Sequence, residues 1–191
     1  MWADKNLIKI LKGGGVAVMP TDTIYGIVGQ AENVSTVNRI YNFKKRAPEK
    51  PCIILISDIA ELGKFFITLS EVEENKLKEY WFIPSGVEGP GPVSVILDCP
   101  DEAFAYLHRG TKTLAFRLPN VPELQSLLLE TGPLIAPSAN PEGLPPAKNI
   151  EEAEKYFGDT VDLYIGGGTI VGNASKLIKL HKDGSISILR E

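Results

Sequence analysis

Between Val16 and Gly29 the chain reads VAVMPTDTIYGIVG, and no other stretch constrains the fold as tightly. The apolar run Val16 to Met19 predicts a buried strand that ends at Pro20. It hands over to Thr21, Asp22, Thr23 and Tyr25. These hydroxyl and carboxylate groups are then set just beyond the strand's carboxyl end, where open α/β sheets bind their ligands. Gly26 and Gly29 are expected to allow a tight turn and a close backbone approach at that point. An ordinary strand-to-helix connection capped by Thr and Asp would carry the same residue types.

The rest of the chain alternates between helical and strand patterns. Asp4 is expected to cap a helix running to Lys12, stopped by Gly13 to Gly15. Ser35 should cap a second helix, in which Val37, Ile40, Tyr41 and Lys44 recur at helical spacing. Lys44 and Arg46 then fall at or just past its C-terminus, where the helix dipole favours cations. Pro48 and Pro51 bound the turn into a strand over 52–56, and Asp58 opens a short helix to Phe66. Ser70 with Glu73 reads as a capping box for a helix to about Tyr80.

Pro84 to Pro92, PSGVEGPGP, is too rich in Gly and Pro for regular structure and reads as a loop. Strands follow at 93–97, 113–118, 134–136, 162–165, 176–180 and 185–189. Helices are expected at 124–131, closed by Gly132, and at 150–157, capped by Asn149. A closing hairpin around Asp183-Gly184 makes the sheet mixed rather than purely parallel. The expected fold is α/β, a single-domain twisted mixed sheet flanked by helices, with residues 1–191 as one domain.

Hydrophobic residues at 43% against 23% charged are the balance of a globular protein with a sizeable core, which 191 residues can bury. Asp4, Lys5, Lys9 and Lys12 break up the first apolar positions, so a secretory leader is not expected, and no apolar run is long enough to span a bilayer. Cys52 and Cys99 lie inside apolar strand-like runs and read as free buried thiols of a reducing cytoplasm. Two His and two Cys without ligand spacing argue against a structural zinc site.

The net charge of −4 argues against a protein built to coat nucleic acid. Three segments nevertheless lack acids: Asn33 to Pro48 with Arg39, Lys44, Lys45 and Arg46; Ala103 to Pro122 with Arg109, Lys112 and Arg117; and Leu163 to Lys182 with Lys176, Lys179 and Lys182. They either converge on one anion-binding cleft or form unrelated solvated faces.

PTDTIYG (Pro20 to Gly26), Lys44-x-Arg46 followed by Lys50-Pro51, and Ser138-Ala139-Asn140 together resemble the signatures of the YrdC-like family, the threonylcarbamoyl-AMP synthases. The resemblance extends to GPGPVS (Gly89 to Ser94), LAFRLP (Leu114 to Pro119) and the run Gly166 to Gly168 ahead of Ser175. It implies the YrdC-like fold and a nucleotidyltransferase that forms threonylcarbamoyl-AMP and pyrophosphate from L-threonine, bicarbonate and ATP. The product would serve the N6-threonylcarbamoyladenosine modification of tRNA. Mg²⁺ is implied by the triphosphate, with phosphate oxygens and water as most of its ligands.

By the same resemblance Lys44 and Arg46 are the catalytic cations that hold phosphates. Lys50, Ser94, Ser138, Asn140 and Arg190 contact the nucleotide, and Thr21, Thr23, Tyr25, Arg117 and Ser175 bind the amino acid. Lys45 reads as solvated, Arg117 also as a strand-end charge, and Ser138 with Asn140 also as an Asx-type turn. The implied partners are the three substrates, tRNA and the downstream transfer machinery, with no membrane.

The chain departs from the family pattern in several places. Gly89 stands at a usually aromatic position, Ser94 replaces Thr, Ala174-Ser175-Lys176 replaces P-S-T, and the R-P-G ending shortens to Arg190-Glu191. The extra C-terminal domain of longer members is not expected here. These differences keep other readings open: a non-catalytic RNA-binding module, a divergent carbamoyl-adenylate-forming paralogue, or a relative that uses carbamoyl phosphate.

Overall fold

In the computed structural model, which describes residues 1–47, 49–82 and 91–191, the Val16 to Gly29 stretch is a hairpin. β1 (Ala17–Pro20) turns through Thr21 to Ile24 into β2 (Tyr25–Gln30), paired antiparallel from Ala17↔Val28 to Pro20↔Tyr25. The tight turn expected at Gly26 and Gly29 is therefore corrected, because both glycines lie inside β2. Gly29 does serve a close approach, for a Cβ there would lie 2.3 Å from Thr36 Cγ2, on the helix packed against the strand.

The helix before the hairpin, α1 (Lys5–Lys12), is capped by Asp4, whose carboxylate accepts from the amides of Asn6 and Leu7. After the hairpin comes α2 (Val34–Lys44). Its cap is Asn33 and not Ser35: Asn33 Oδ1 accepts from the Thr36 amide, which puts the first helical residue at Val34. β3 (Ile53–Leu55) follows, then a 3₁₀ segment (Ile59–Phe65) opened by Asp58, and α3 (Glu71–Trp81) with the reciprocal Ser70/Glu73 capping box. The expected loop Pro84 to Pro92 lies, up to Pro90, outside the described residues, as does Pro48.

The second half holds β4 (Val93–Asp98), a 3₁₀ turn (Glu102–Phe104), the short α4 (Ala105–His108), β5 (Thr113–Arg117) and α5 (Pro122–Thr131). β6 (Leu134–Ile135), α6 (Ile150–Phe157), β7 (Leu163–Tyr164), β8 (Lys176–Leu180) and β9 (Ile186–Arg190) complete it. The 3₁₀ turn and α4 were not anticipated, being too short to show a period. Among the described residues the nine strands form one mixed sheet in the order β7-β1-β2-β6-β3-β5-β4-β8-β9. Among the same residues no helix is long and apolar enough to cross a membrane.

Strand alternation decides what each face carries. One face joins Val18, Ile27, Ile54, Val95, Phe116 and Ile178 to α2, α3, α4 and α6 in a large core cluster. On the other face α1 and α5 bury Leu7, Leu11, Leu124, Leu127 and Leu128 against Met19, Val28, Leu55 and Leu134. That second layer covers the β7, β1, β2, β6 and β3 part of the sheet. Across β5, β4 and β8 the residues opposite the large core are Thr113, Ala115, Arg117, Ile96 and Leu177, and they line a cavity.

Candidate active site

The cavity measures about 350 Å³, inside the usual range of about 300–1,000 Å³ for small-molecule sites. Its floor is apolar, made by Ile53, Ile96, Ala115 and Leu177, while Thr21, Thr23 and Tyr25 wall one end and Thr111 with Thr113 another part. Arg46, Arg117 and Arg190 reach it from three separate parts of the chain, and no carboxylate occurs among its described lining residues. Three cations on a partly apolar wall, of which Arg117 alone has a carboxylate partner among the described residues, Asp22, behind it, suit an organic anion.

Each arginine is aimed by local bonds. The Arg46 guanidinium donates from Nε to Lys50 O at 2.8 Å and from Nη2 to Pro51 O at 3.0 Å. It follows Lys45, which ends α2 in the left-handed region at φ 48°. Arg190 donates from Nε and Nη2 to Ser175 O at 2.9 and 2.7 Å. Arg117 ends β5 and donates to Asp22 Oδ1 at 2.8 Å, with its Nε left without a partner among the described residues. Burial pulls the Arg117 guanidinium below its ordinary value; Asp22 opposes this and the nearby Arg190 adds to it. Two cations that repel each other across one cavity would be relieved by an anion between them.

The structure distributes the remaining candidates between the cavity wall and the frame behind it. Ser138 and Ser175 line the wall. Tyr25 lines it as well, but its hydroxyl accepts from Gly167 N and donates to Gly168 O, both at 2.8 Å, fastening the glycine run to the hairpin. Thr21 Oγ1 donates to Ile24 O at 2.7 Å and shares a hydrogen bond of 3.1 Å with Thr23 Oγ1. Thr23 is thus the less committed hydroxyl. Ser94 is fully buried and bonds Ser175 Oγ at 2.8 Å, so it stands one side chain behind the wall.

Lys44, Lys50 and Asn140 are placed differently from the expectation. Lys44 is 1% exposed, and its ammonium donates to Ser138 O, to Asn140 O at 2.6 Å and to Asn140 Oδ1 at 3.4 Å. Its three donors are spent on the 138–140 loop, so in this structure it braces the site and does not face the cavity. Burial, with Arg46 adding to it, lowers its pKa to about 8. Lys50 is paired with Glu142. Asn140 donates from Nδ2 to Pro141 O and Leu144 O at 2.9 and 2.7 Å, which is the turn-forming alternative for that residue.

Only part of the expected convergence of basic segments occurs. Arg46 and Arg117 reach the cavity, whereas Lys112, Lys176, Lys179 and Lys182 face Glu102, Glu191, Asp98 and Glu73. Thr113 and Ala115 were missed as site residues, although the alternation T-L-A-F-R places them on the same face as Arg117. Ile96, Cys52 and Thr111 carried no signal of their own.

Residues 9–191 match the Sua5/YciO/YrdC family model, described as telomere recombination. The chain belongs to this family. It is 32% identical to the threonylcarbamoyl-AMP synthase of Bacillus subtilis over 91% of this chain and 49% of the relative. With the synthase of Pseudomonas paraeruginosa it shares 30% identity over 83% of this chain and 82% of the relative. Among solved structures it resembles Pyrococcus abyssi Sua5 complexed with L-threonine, with a TM-score of 0.81 and 26% identity over 97% of this chain and 52% of that one. The chain thus spans about half the length of the Bacillus and Pyrococcus relatives. The mixed sheet with its helical layers is the fold of the Sua5/YciO/YrdC family, as the motifs implied.

Proposed function

We propose that this chain is a threonylcarbamoyl-AMP synthase, forming threonylcarbamoyl-AMP and pyrophosphate from L-threonine, bicarbonate and ATP. The observation that carries this reading is the one cavity that Arg46, Arg117 and Arg190 all line, with no carboxylate among its described lining residues. Relatives named for this activity support it. Threonine nitrogen and bicarbonate condense to the carbamate with loss of water. A carbamate oxygen then attacks the α-phosphorus, the bond to the bridging oxygen breaks, and pyrophosphate leaves. The substrate supplies the nucleophile, so the protein's work is positioning and charge neutralisation.

Arg46 and Arg190 are assigned to phosphate oxygens, where a planar fork can hold two at once. Arg117, with Asp22 holding one side of it, is assigned to the amino acid carboxylate or its carbamate, and Thr23 to the threonine hydroxyl. The apolar floor of Ile53, Ile96, Ala115 and Leu177 suits a base or sugar face. Mg²⁺ would enter with the triphosphate: no described lining residue is a carboxylate, and no described cluster of three or more His, Cys, Asp or Glu could hold a metal alone. Lys44, Asn140 and Ser94 frame the site.

The reading places the protein in the cytoplasm, with tRNA and the threonylcarbamoyl transfer machinery downstream. One continuous sheet built from strands throughout the chain supports treating residues 1–191 as one domain. The RNA-binding alternative has little behind it, because many of the surface lysines that would form its basic face are ion-paired. The deciding experiment is pyrophosphate release measured with each substrate omitted in turn. Release is expected only when threonine, bicarbonate and ATP are all present; equal ATP cleavage without threonine or without bicarbonate overturns the proposal.

A further inference from the structure

Two loops meet beside Arg46, and each sends a side chain into the backbone of the other. From the end of α2, Lys44 donates to Ser138 O and Asn140 O. In the opposite direction the Glu142 carboxylate accepts from Ala47 N and from the Lys50 ammonium, while Glu142 N donates to Lys44 O at 2.7 Å. Arg46 lies between these attachment points and is itself held by Lys50 O and Pro51 O. Ser138, on the other loop, faces the same cavity.

We propose that Glu142 is a positioning residue that latches Ala47 and Lys50 to the 138–144 loop, and so fixes the Arg46 guanidinium opposite Ser138 at the width the anionic substrate requires. The argument rests on geometry. After the left-handed Lys45, Arg46 and Lys50 are bonded to Tyr41 of α2 and Arg46 to Lys50 and Pro51, and it is Glu142 that ties this group to the facing loop. Glu142 ties it at two points, the amide one residue after Arg46 and the ammonium four residues after it. Charge-assisted bonds of this kind are the stronger ones. The Lys50 and Ala47 partners also hold the Glu142 carboxyl below the usual carboxylate range, so the latch is charged at neutral pH. Glu142 does not line the cavity among its described residues, which makes its effect on substrate indirect, through Arg46.

The role of the latch in binding rests on the proposed synthase reading, and the test keeps the two apart. Wild type, Glu142→Gln and Glu142→Ala are compared for pyrophosphate release at varied ATP, and for exchange of the Ala47 amide in the ligand-free, ¹⁵N-labelled protein. Glu142→Ala is expected to raise the KM for ATP about tenfold while kcat stays within about twofold, the equivalent of losing one charged hydrogen bond from binding alone. Ala47 exchange should quicken at least about tenfold in the same variant. Glu142→Gln, which keeps an acceptor for the amide and loses the charge for Lys50, should fall between. Unchanged Ala47 exchange overturns the latch whatever the turnover does, and so does an equal fall in kcat and kcat/KM with KM unmoved. A wild-type protein that releases no pyrophosphate overturns the synthase reading instead, and the exchange measurement still decides whether Glu142 holds the segment.

Discussion

Arg117 Nη2 and Asp22 Oδ1 lie 2.8 Å apart with their side chains only 4% and 6% exposed, joining the end of β5 to the β1–β2 turn beneath the cavity. Breaking a buried pair by removing one partner leaves an uncompensated charge, which costs about 3–5 kcal/mol. Asp22→Asn should therefore lower the unfolding free energy by roughly that amount, read from urea melts. A loss under about 1 kcal/mol would mean that water screens the pair.

Arg46 and Lys45 are neighbours with different surroundings. Arg46 lines the cavity, while Lys45 is exposed at the helix end. Arg46→Ala is expected to lower kcat/KM on the order of 10- to 100-fold, because the proposed charge-assisted bond to substrate is lost. Lys45→Ala should stay within about twofold of wild type. Steady-state kinetics of both variants decide this, and equal activities would remove Arg46 from the site.

Lys44 gives stability a pH dependence of definite sign. Its ammonium titrates at about 8 in the folded protein against 10.5 for the unfolded group. Between those values the unfolded chain binds the extra proton, so this group's contribution to stability rises with pH, by about 3 kcal/mol over the interval. The buried thiols of Cys52 and Cys99, with raised pKa values, act in the opposite sense. The measurement is the difference in urea stability between wild type and Lys44→Met at pH 7 to 10. It should shift in favour of wild type as the pH rises.

Gly29 tests the packing of α2 on the hairpin. A methyl there would meet Thr36 Cγ2 at 2.3 Å and Ile40 Cδ1 at 3.2 Å. Gly29→Ala should cost about 1–3 kcal/mol through overpacking and lower the Tm by several degrees. Thermal melts of the variant check it.

Selectivity among amino acids tests the wall around Thr23. Serine lacks one methyl, and a methyl in an apolar pocket is worth about 1–3 kcal/mol, so serine should be used with kcat/KM roughly 10- to 200-fold lower. Valine keeps the branched shape without the hydroxyl and should be rejected more strongly if Thr23 bonds that hydroxyl. Kinetics with all three amino acids at saturating ATP and bicarbonate would show it. Valine equal to threonine would withdraw Thr23 from substrate recognition.

What the sequence by itself determined is the part governed by neighbours a few residues apart. The caps at Asp4, Ser70 with Glu73, and Asn149, the stop at Gly132 and the β8 strand all appear as read. So does the mixed α/β character, because capping chemistry and strand alternation act over one to four residues. The motifs also carried the family, since their order along the chain is itself sequence information.

Tertiary structure decided the rest, for reasons of pairing and enclosure. Whether the residues after Pro20 turn into a helix or back into a strand depends on whether β6 offers Gly29 and Gln30 a partner, as Ile135 and Leu134 do. Whether a basic residue meets substrate depends on which acceptors surround it. The Lys44 ammonium found the carbonyls of a loop 94 and 96 residues away, Lys50 found Glu142, and the Arg46 guanidinium was left on the wall. Three cations that look alike in the K-x-R-x-x-x-K run were assigned different work by contacts that close only when distant segments meet, and local pattern holds no record of those contacts.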